Sequence, residues 1–165
     1  MPDWPRFAAW LFLAVVVVGL DQWTKGMAVD QLQYGRPMAI LPMLNFTLQY
    51  NPGAAFSFLS DAGGWQRWFF TGVAIVASVV ICVWLAKLQR SEWMLGLSLS
   101  LILGGAVGNL WDRLALGHVV DFISVHYAGS YFPAFNLADS AITAGAVLMI
   151  LDALLQARRE KESAS

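Results

Sequence analysis

The sequence predicts an all-α membrane protein, a bundle of four transmembrane helices with a small extracytoplasmic β element in its first loop. Three observations carry that prediction. Of 165 residues, 58% are hydrophobic and 13% charged, against about 45–50% apolar and about 25% charged in soluble domains. Mean hydropathy is +0.59. Long apolar stretches also recur along the chain, too many to hide in one soluble core of this length. Nucleic-acid binding is excluded, because no basic surface interleaved with aromatics is visible. The chain reads as one integral membrane domain over residues 1–165.

The first helix is expected at about 7–28. Its apolar part, Phe7 to Leu20, gives only about 21 Å of helix and with Arg6 before it resembles a signal peptide's apolar region. The pattern nevertheless continues through Asp21-Gln22-Trp23-Thr24-Lys25, with Asp21 and Lys25 four apart on one face. A retained helix with a polar outer end follows. Trp68 to Ala86 and Trp93 to Leu110 contain no ionisable group except the Cys82 thiol, and each approaches the roughly 30 Å hydrocarbon thickness. They predict helices at about 67–87 and 93–111. The fourth, about 137–156, has an unbroken apolar part from Ser140 to Leu151 between Asp139 and Asp152. Trp65, Trp68, Trp93 and Trp111 fall near span ends, where amphipathic rings favour the interface.

Four spans put both termini on one side. Arg6, Lys87, Arg90, Arg158, Arg159 and Lys161 lie in the short flanks, which marks that side as cytoplasmic. The loops at about 29–66 and 112–136 are then extracytoplasmic. In the first, Leu44-Asn45-Phe46-Thr47-Leu48-Gln49-Tyr50 alternates with period two and predicts a half-buried strand. Asn51-Pro52-Gly53 follows as a turn, and Ala54-Ala55-Phe56-Ser57-Phe58 as a returning strand. Gly53, Gly63 and Gly64 are ordinary turn chemistry that also permits motion.

A carboxylate beside lipid is costly, so each needs a reason. Asp121 lies beyond the third helix and Asp139 opens the fourth, so an antiparallel hairpin brings both to one membrane level. Two carboxyls in contact cannot both ionise cheaply and share a proton. One can then deprotonate water while the other hydrogen-bonds to a scissile carbonyl, without metal or cofactor. Which of the two starts as base is open. Taken singly, each acid also reads as an interfacial helix-end residue, Asp139 at a helix N-terminus. The neighbours weigh against that. Asn109, Asp112 and Arg113 share a helical face below Gly104-Gly105 and Gly108, and Asn136 precedes Asp139 by three. With Asn51 and Gly53, and Asp21 and Lys25, separate segments send polar groups to one membrane face. Asp112 and Arg113 are expected to serve as a structural pair, and the three asparagines to orient substrate or acids.

Here the chain strongly resembles the bacterial lipoprotein signal peptidases, the type II signal peptidases. The likeness rests on Asp21-Gln22-Trp23-Thr24-Lys25, Asn51-Pro52-Gly53-Ala54-Ala55-Phe56, Gly104-Gly105-Ala106-Val107-Gly108-Asn109-Leu110-Trp111-Asp112-Arg113, Val119-Val120-Asp121-Phe122 and Phe135-Asn136-Leu137-Ala138-Asp139, in that order. Each motif is short, but five in order on four spans are specific. The resemblance implies an aspartic endopeptidase of the bacterial inner membrane, with Asp121 and Asp139 as the catalytic pair. It also implies a lipid-modified prolipoprotein as substrate, cut before a diacylglyceryl cysteine. Membrane lipids are the other expected partner, and a monomer the expected working form. An apolar rim including Phe56 and Phe58 could hold acyl chains.

Other chemistries are weaker. His118, Asp121, His126 and Asp139 could be imagined around a metal, but no H-E-x-x-H pattern occurs. Ser140 or Ser124 lacks a G-x-S-x-G elbow. Cys82 has no activating charge and reads as a small apolar side chain. A small proton-coupled transporter or channel is the rival from another class, but it predicts acids spread through the bilayer and commonly a repeat. The acids cluster at one face, and no repeat is visible.

Overall fold

A computed structural model describes residues 3–53 and 64–164. Four helices are long and apolar enough to cross a membrane: α1 (Trp4–Gln31), α2 (Trp65–Leu85), α3 (Trp93–Ala115) and α4 (Leu137–Ala164). They are joined by strands β1 (Met38–Leu41), β2 (Leu44–Asn51), β3 (Val119–Tyr127) and β4 (Ser130–Tyr131). The returning strand expected at 54–58, with Phe56, Phe58 and Gly63, lies outside the described residues.

Helix α3 is the central element. It packs against α1, α2 and α4, and its small residues set how closely they approach. A Cβ on Gly104 would stand 2.8 Å from the carbonyl oxygen of Ala14 in α1. One on Gly105 would collide with the carbonyl of Ala138 in α4. Below this waist, toward the end carrying the chain termini, Ala14, Ile81, Leu85, Leu95, Leu99 and Leu103 form the apolar core. The outer faces of α1, α2 and α4 remain apolar and exposed, as at Phe12, Val76 and Ile150, which suits hydrocarbon and not water.

The β element expected in the first loop draws half its strands from the second. The order is β1-β2-β3-β4, antiparallel throughout. In the key pairing, Gln49, Tyr50 and Asn51 lie opposite Asp121, Val120 and Val119. β3 escapes a period-two reading because Val119, Val120, Asp121 and Phe122 are all buried. With both faces covered there is no alternation to read. Asp121 therefore sits on a sheet strand, not in a loop trailing α3. The sheet lies at the end of the bundle where α1 and α3 finish and α2 and α4 begin.

Candidate active site

Asp139 is placed by local helix-end chemistry. The Asn136 side-chain oxygen accepts from the Asp139 backbone N–H at 2.9 Å, and Asp139 Oδ2 accepts from the Asn136 N–H at 3.3 Å. This reciprocal cap, three residues apart, fixes where α4 starts and which way its first acid faces. Asp121 is placed by β3. Its Oδ1 accepts from Asn136 Nδ2 at 2.7 Å and its Oδ2 from Asn51 Nδ2 at 3.2 Å. One asparagine thus binds both aspartates.

Behind them lies a buried polar layer. Asn109 Nδ2 donates to Asp139 Oδ1 at 2.7 Å, while Asn109 Oδ1 accepts from Lys25 Nζ at 2.9 Å and from Asn136 Nδ2 at 3.1 Å. Lys25 also pairs with Asp21 and Asp112, both at 2.8 Å. The remaining oxygen of Asp21 accepts from the Ala138 N–H at 2.9 Å, and Asp112 Oδ2 accepts from the Val120 N–H at 3.1 Å. A charge with no water around it needs this degree of satisfaction. Asp21, Asp112 and Asn136 are each 1% exposed or less.

The expected Asp112–Arg113 pair is an electrostatic interaction without a direct ion contact. Neighbours in a helix point about 100° apart, so Asp112 turns to Lys25 while Arg113 Nη1 donates to the Asn109 carbonyl at 3.2 Å. The Arg113 guanidinium stands 5.5 Å over the Phe70 ring and interacts electrostatically with Asp139, Asp121 and Asp112. Gly53 closes the turn after β2, its N–H donating to Asn51 Oδ1 at 2.9 Å. Its φ of +114° is a backbone state that only glycine adopts without strain.

Sequence reading passed over Gln22. Its amide donates to Asp112 Oδ1 at 2.8 Å and to the Gly108 carbonyl and Asp21 Oδ2 at 3.2 Å. Its place beside Asp21 in the first motif was the available signal. The two histidines make ring contacts, His118 with Tyr50 and His126 with Tyr131. Among the described residues, no three His, Cys, Asp or Glu side chains converge to hold a metal ion. The Ser140 hydroxyl donates to the Asn136 carbonyl at 2.9 Å, and Ser124 is buried opposite Asn45 in the sheet.

Asp121 titrates unusually. Burial, and after it the negative charge of Asp139, push its carboxyl from 3.8 up to about 7, against the hydrogen bonds from Asn51 and Asn136 and the Lys25 charge. Near neutrality the site therefore holds a carboxyl able to keep or release a proton.

Comparison with known proteins places the sequence and the fold. The family model described as signal peptidase (SPase) II matches residues 13–155. The chain is 52% identical over 161 residues to the lipoprotein signal peptidase of Acinetobacter baumannii (strain ATCC 17978), covering 97% of this chain and 92% of that one. It is 50% identical over 168 residues to that of Pseudomonas aeruginosa (strain PAO1), covering 99% of each. A solved structure described as a bacterial membrane enzyme superposes with a TM-score of 0.80 at 34% identity, over 93% of this chain and 92% of that one.

Proposed function

Because the chain belongs to the signal peptidase II family, we propose that it removes the signal peptide from diacylglyceryl-modified prolipoproteins, using Asp121 and Asp139 to activate water. The peptidase is a multi-pass bacterial membrane protein. The observation that carries the aspartic reading is the single side chain of Asn136, which binds Asp121 through its amide and Asp139 through its cap.

In the resting site the two carboxyls hold one proton between them, burial and the charge of Asp139 pushing Asp121 up to about 7. The ionised member takes a proton from a water molecule, and the resulting hydroxide adds to the scissile carbonyl carbon. The protonated member donates its proton to the carbonyl oxygen as charge develops there. The tetrahedral intermediate then collapses: the C–N bond breaks, the nitrogen leaves with the proton that the first acid took from water, and the carbonyl oxygen returns its proton to the second. No covalent intermediate forms, and the pair ends as it began.

The positive flanks assign the end carrying both termini to the cytoplasm and the aspartates to the extracytoplasmic membrane surface. There a bond beside a lipid-anchored cysteine can be met without drawing it through the bilayer. One chain supplies both acids, so a monomer suffices.

Purified protein incubated with a diacylglyceryl-modified precursor and its unlipidated form, read by mass, tests this. The lipidated precursor is cut before its cysteine, and Asp121→Asn and Asp139→Asn each lose about 10²–10⁴-fold in rate while remaining folded. Full cleavage by either variant sinks the dyad, and cleavage of neither precursor returns the transporter reading.

A further inference from the structure

Three aromatic side chains from three separate segments stack beside the sheet. Tyr34, in the linker after α1, stacks on Tyr50 at 5.2 Å between centroids and 27° between planes. Tyr50 also meets the His118 ring at 4.4 Å, tilted by 49°. The linker is also tied to the strand, since Gly35 N–H donates to the Leu48 carbonyl at 2.9 Å and Tyr34 bridges Leu48. None of these rings touches the acids.

Strand alternation says which side they occupy. Gln49 and Asn51 pair with Asp121 and Val119, and Tyr50 pairs with Val120. Successive side chains alternate faces, so Asn51 and Asp121 share one face and Tyr50 lies on the other. The stack grips the last rungs of the β2–β3 pairing from behind, next to the residue whose amide reaches Asp121 at 3.2 Å.

That rung needs a brace. It closes β2 just before the Asn51-Pro52-Gly53 turn, where the proline offers no ladder donor. Strand ends open first, and cross-strand aromatic pairs are the ordinary means of holding them. Here the brace links the α1 exit, the β2 end and the α3–β3 turn in one stack.

We infer that the Tyr34–Tyr50–His118 stack is a positioning device for the reaction: it holds the end of β2 in register with β3 so that Asn51 stays within hydrogen-bond distance of Asp121. Tyr50 is its central member and a positioning residue. The inference rests on the dyad reading above.

A direction follows. Asp121 is faced by Asp139 from α4, Lys25 from α1, Arg113 from α3, and Asn51 and Asn136 by hydrogen bond. Only the Asn51 contact depends on the stack. Donation to a carboxylate favours its ionised form, so losing that contact moves the Asp121 titration upward.

The test compares Tyr50→Leu, which removes the ring, with Tyr50→Phe, which keeps it, using Asn51→Ala as reference and the lipidated precursor as substrate. Tyr50→Leu is expected to lower kcat about five- to tenfold with KM little changed, the scale of one lost hydrogen bond. Its pH–rate limb for Asp121 should move to higher pH, as in Asn51→Ala, and Tyr50→Phe should restore both rate and profile. A Tyr50→Leu variant with the parent's rate and profile overturns the inference, as does one slowed with its profile unmoved. If Tyr50→Leu fails to fold, His118→Leu carries the same comparison from the other end of the stack. Asp121→Asn is run in parallel: its full activity would sink the dyad itself, whereas an inactive Asp121→Asn beside a parent-like Tyr50→Leu removes only the brace.

Discussion

Burying Asp121 has a cost that depends on pH. Its carboxyl is held at about 7 in the folded protein against 3.8 for an exposed one, so between those values the folded chain binds more protons than the unfolded. Stability then falls as pH rises from about 4 to about 7 and is level above. At 1.36 kcal/mol per unit the ceiling is about 4 kcal/mol. Asp121→Asn removes the titration, and its advantage over the parent should grow from near zero at pH 4 toward that ceiling of about 4 kcal/mol at pH 7.5, read as melting temperature in detergent. A constant difference across that range would mean that Asp121 does not titrate as described. Lys25 is the opposite case, 3% exposed and shared between two buried carboxylates. Lys25→Met strands both, and a loss of about 3–5 kcal/mol is expected in the same assay. At this scale the sequence was informative where spacing is decisive: Asp21 and Lys25, four apart on one helix, do meet. It was less so at Asp112 and Arg113, which interact without a direct ion contact, because adjacency in sequence is divergence on a helix.

Between elements, the close approach of α3 to its neighbours is what brings Asn109 to Asp139 and Lys25 to Asn109. Gly105 and Gly108 mark two of the close points nearest the site, where an added Cβ would meet the Ala138 carbonyl oxygen and Asp21 Oδ2 respectively. Backbone cannot retreat as a side-chain tip can, so Gly105→Ala should push the start of α4 off α3. It is expected to cost about 1–3 kcal/mol and to slow cleavage by displacing Asp139. Gly26→Ala, with nothing within 4 Å of the added atom, serves as the control and should keep parent stability and rate. Equal behaviour of the two variants would detach the site from helix packing. The helices themselves were legible, because long apolar runs between polar margins allow few alternatives. The sheet was legible only in part. β2 has a half-buried alternating pattern, whereas β3 is covered on both faces where it matters and reads as one more apolar segment beside a helix.

Across the whole molecule, the basic flanks and the aspartate pair lie at opposite ends. At one end Arg90 Nε pairs with Asp3 at 3.0 Å, and Arg6 donates to the Gln89 carbonyl at 2.8 Å, tying the N-terminus to the α2–α3 connection. The basic tail of α4 lies at that same end of the antiparallel bundle. The other end holds the sheet, the aspartates and the turn between β1 and β2, where Met43 is 53% exposed. Short flanks rich in Arg and Lys are retained in the cytoplasm, while the negatively charged pair has no such constraint. The orientation this requires can be read with one reagent, because Cys82 is the only cysteine. In a Cys82→Ser background, Met43→Cys should react with a membrane-impermeant maleimide in intact spheroplasts, and Ser163→Cys only after the membrane is opened. The reverse pattern would put the aspartates in the cytoplasm, on the wrong side for a precursor whose modified cysteine emerges at the outer surface, and the proposed reaction would lose its substrate.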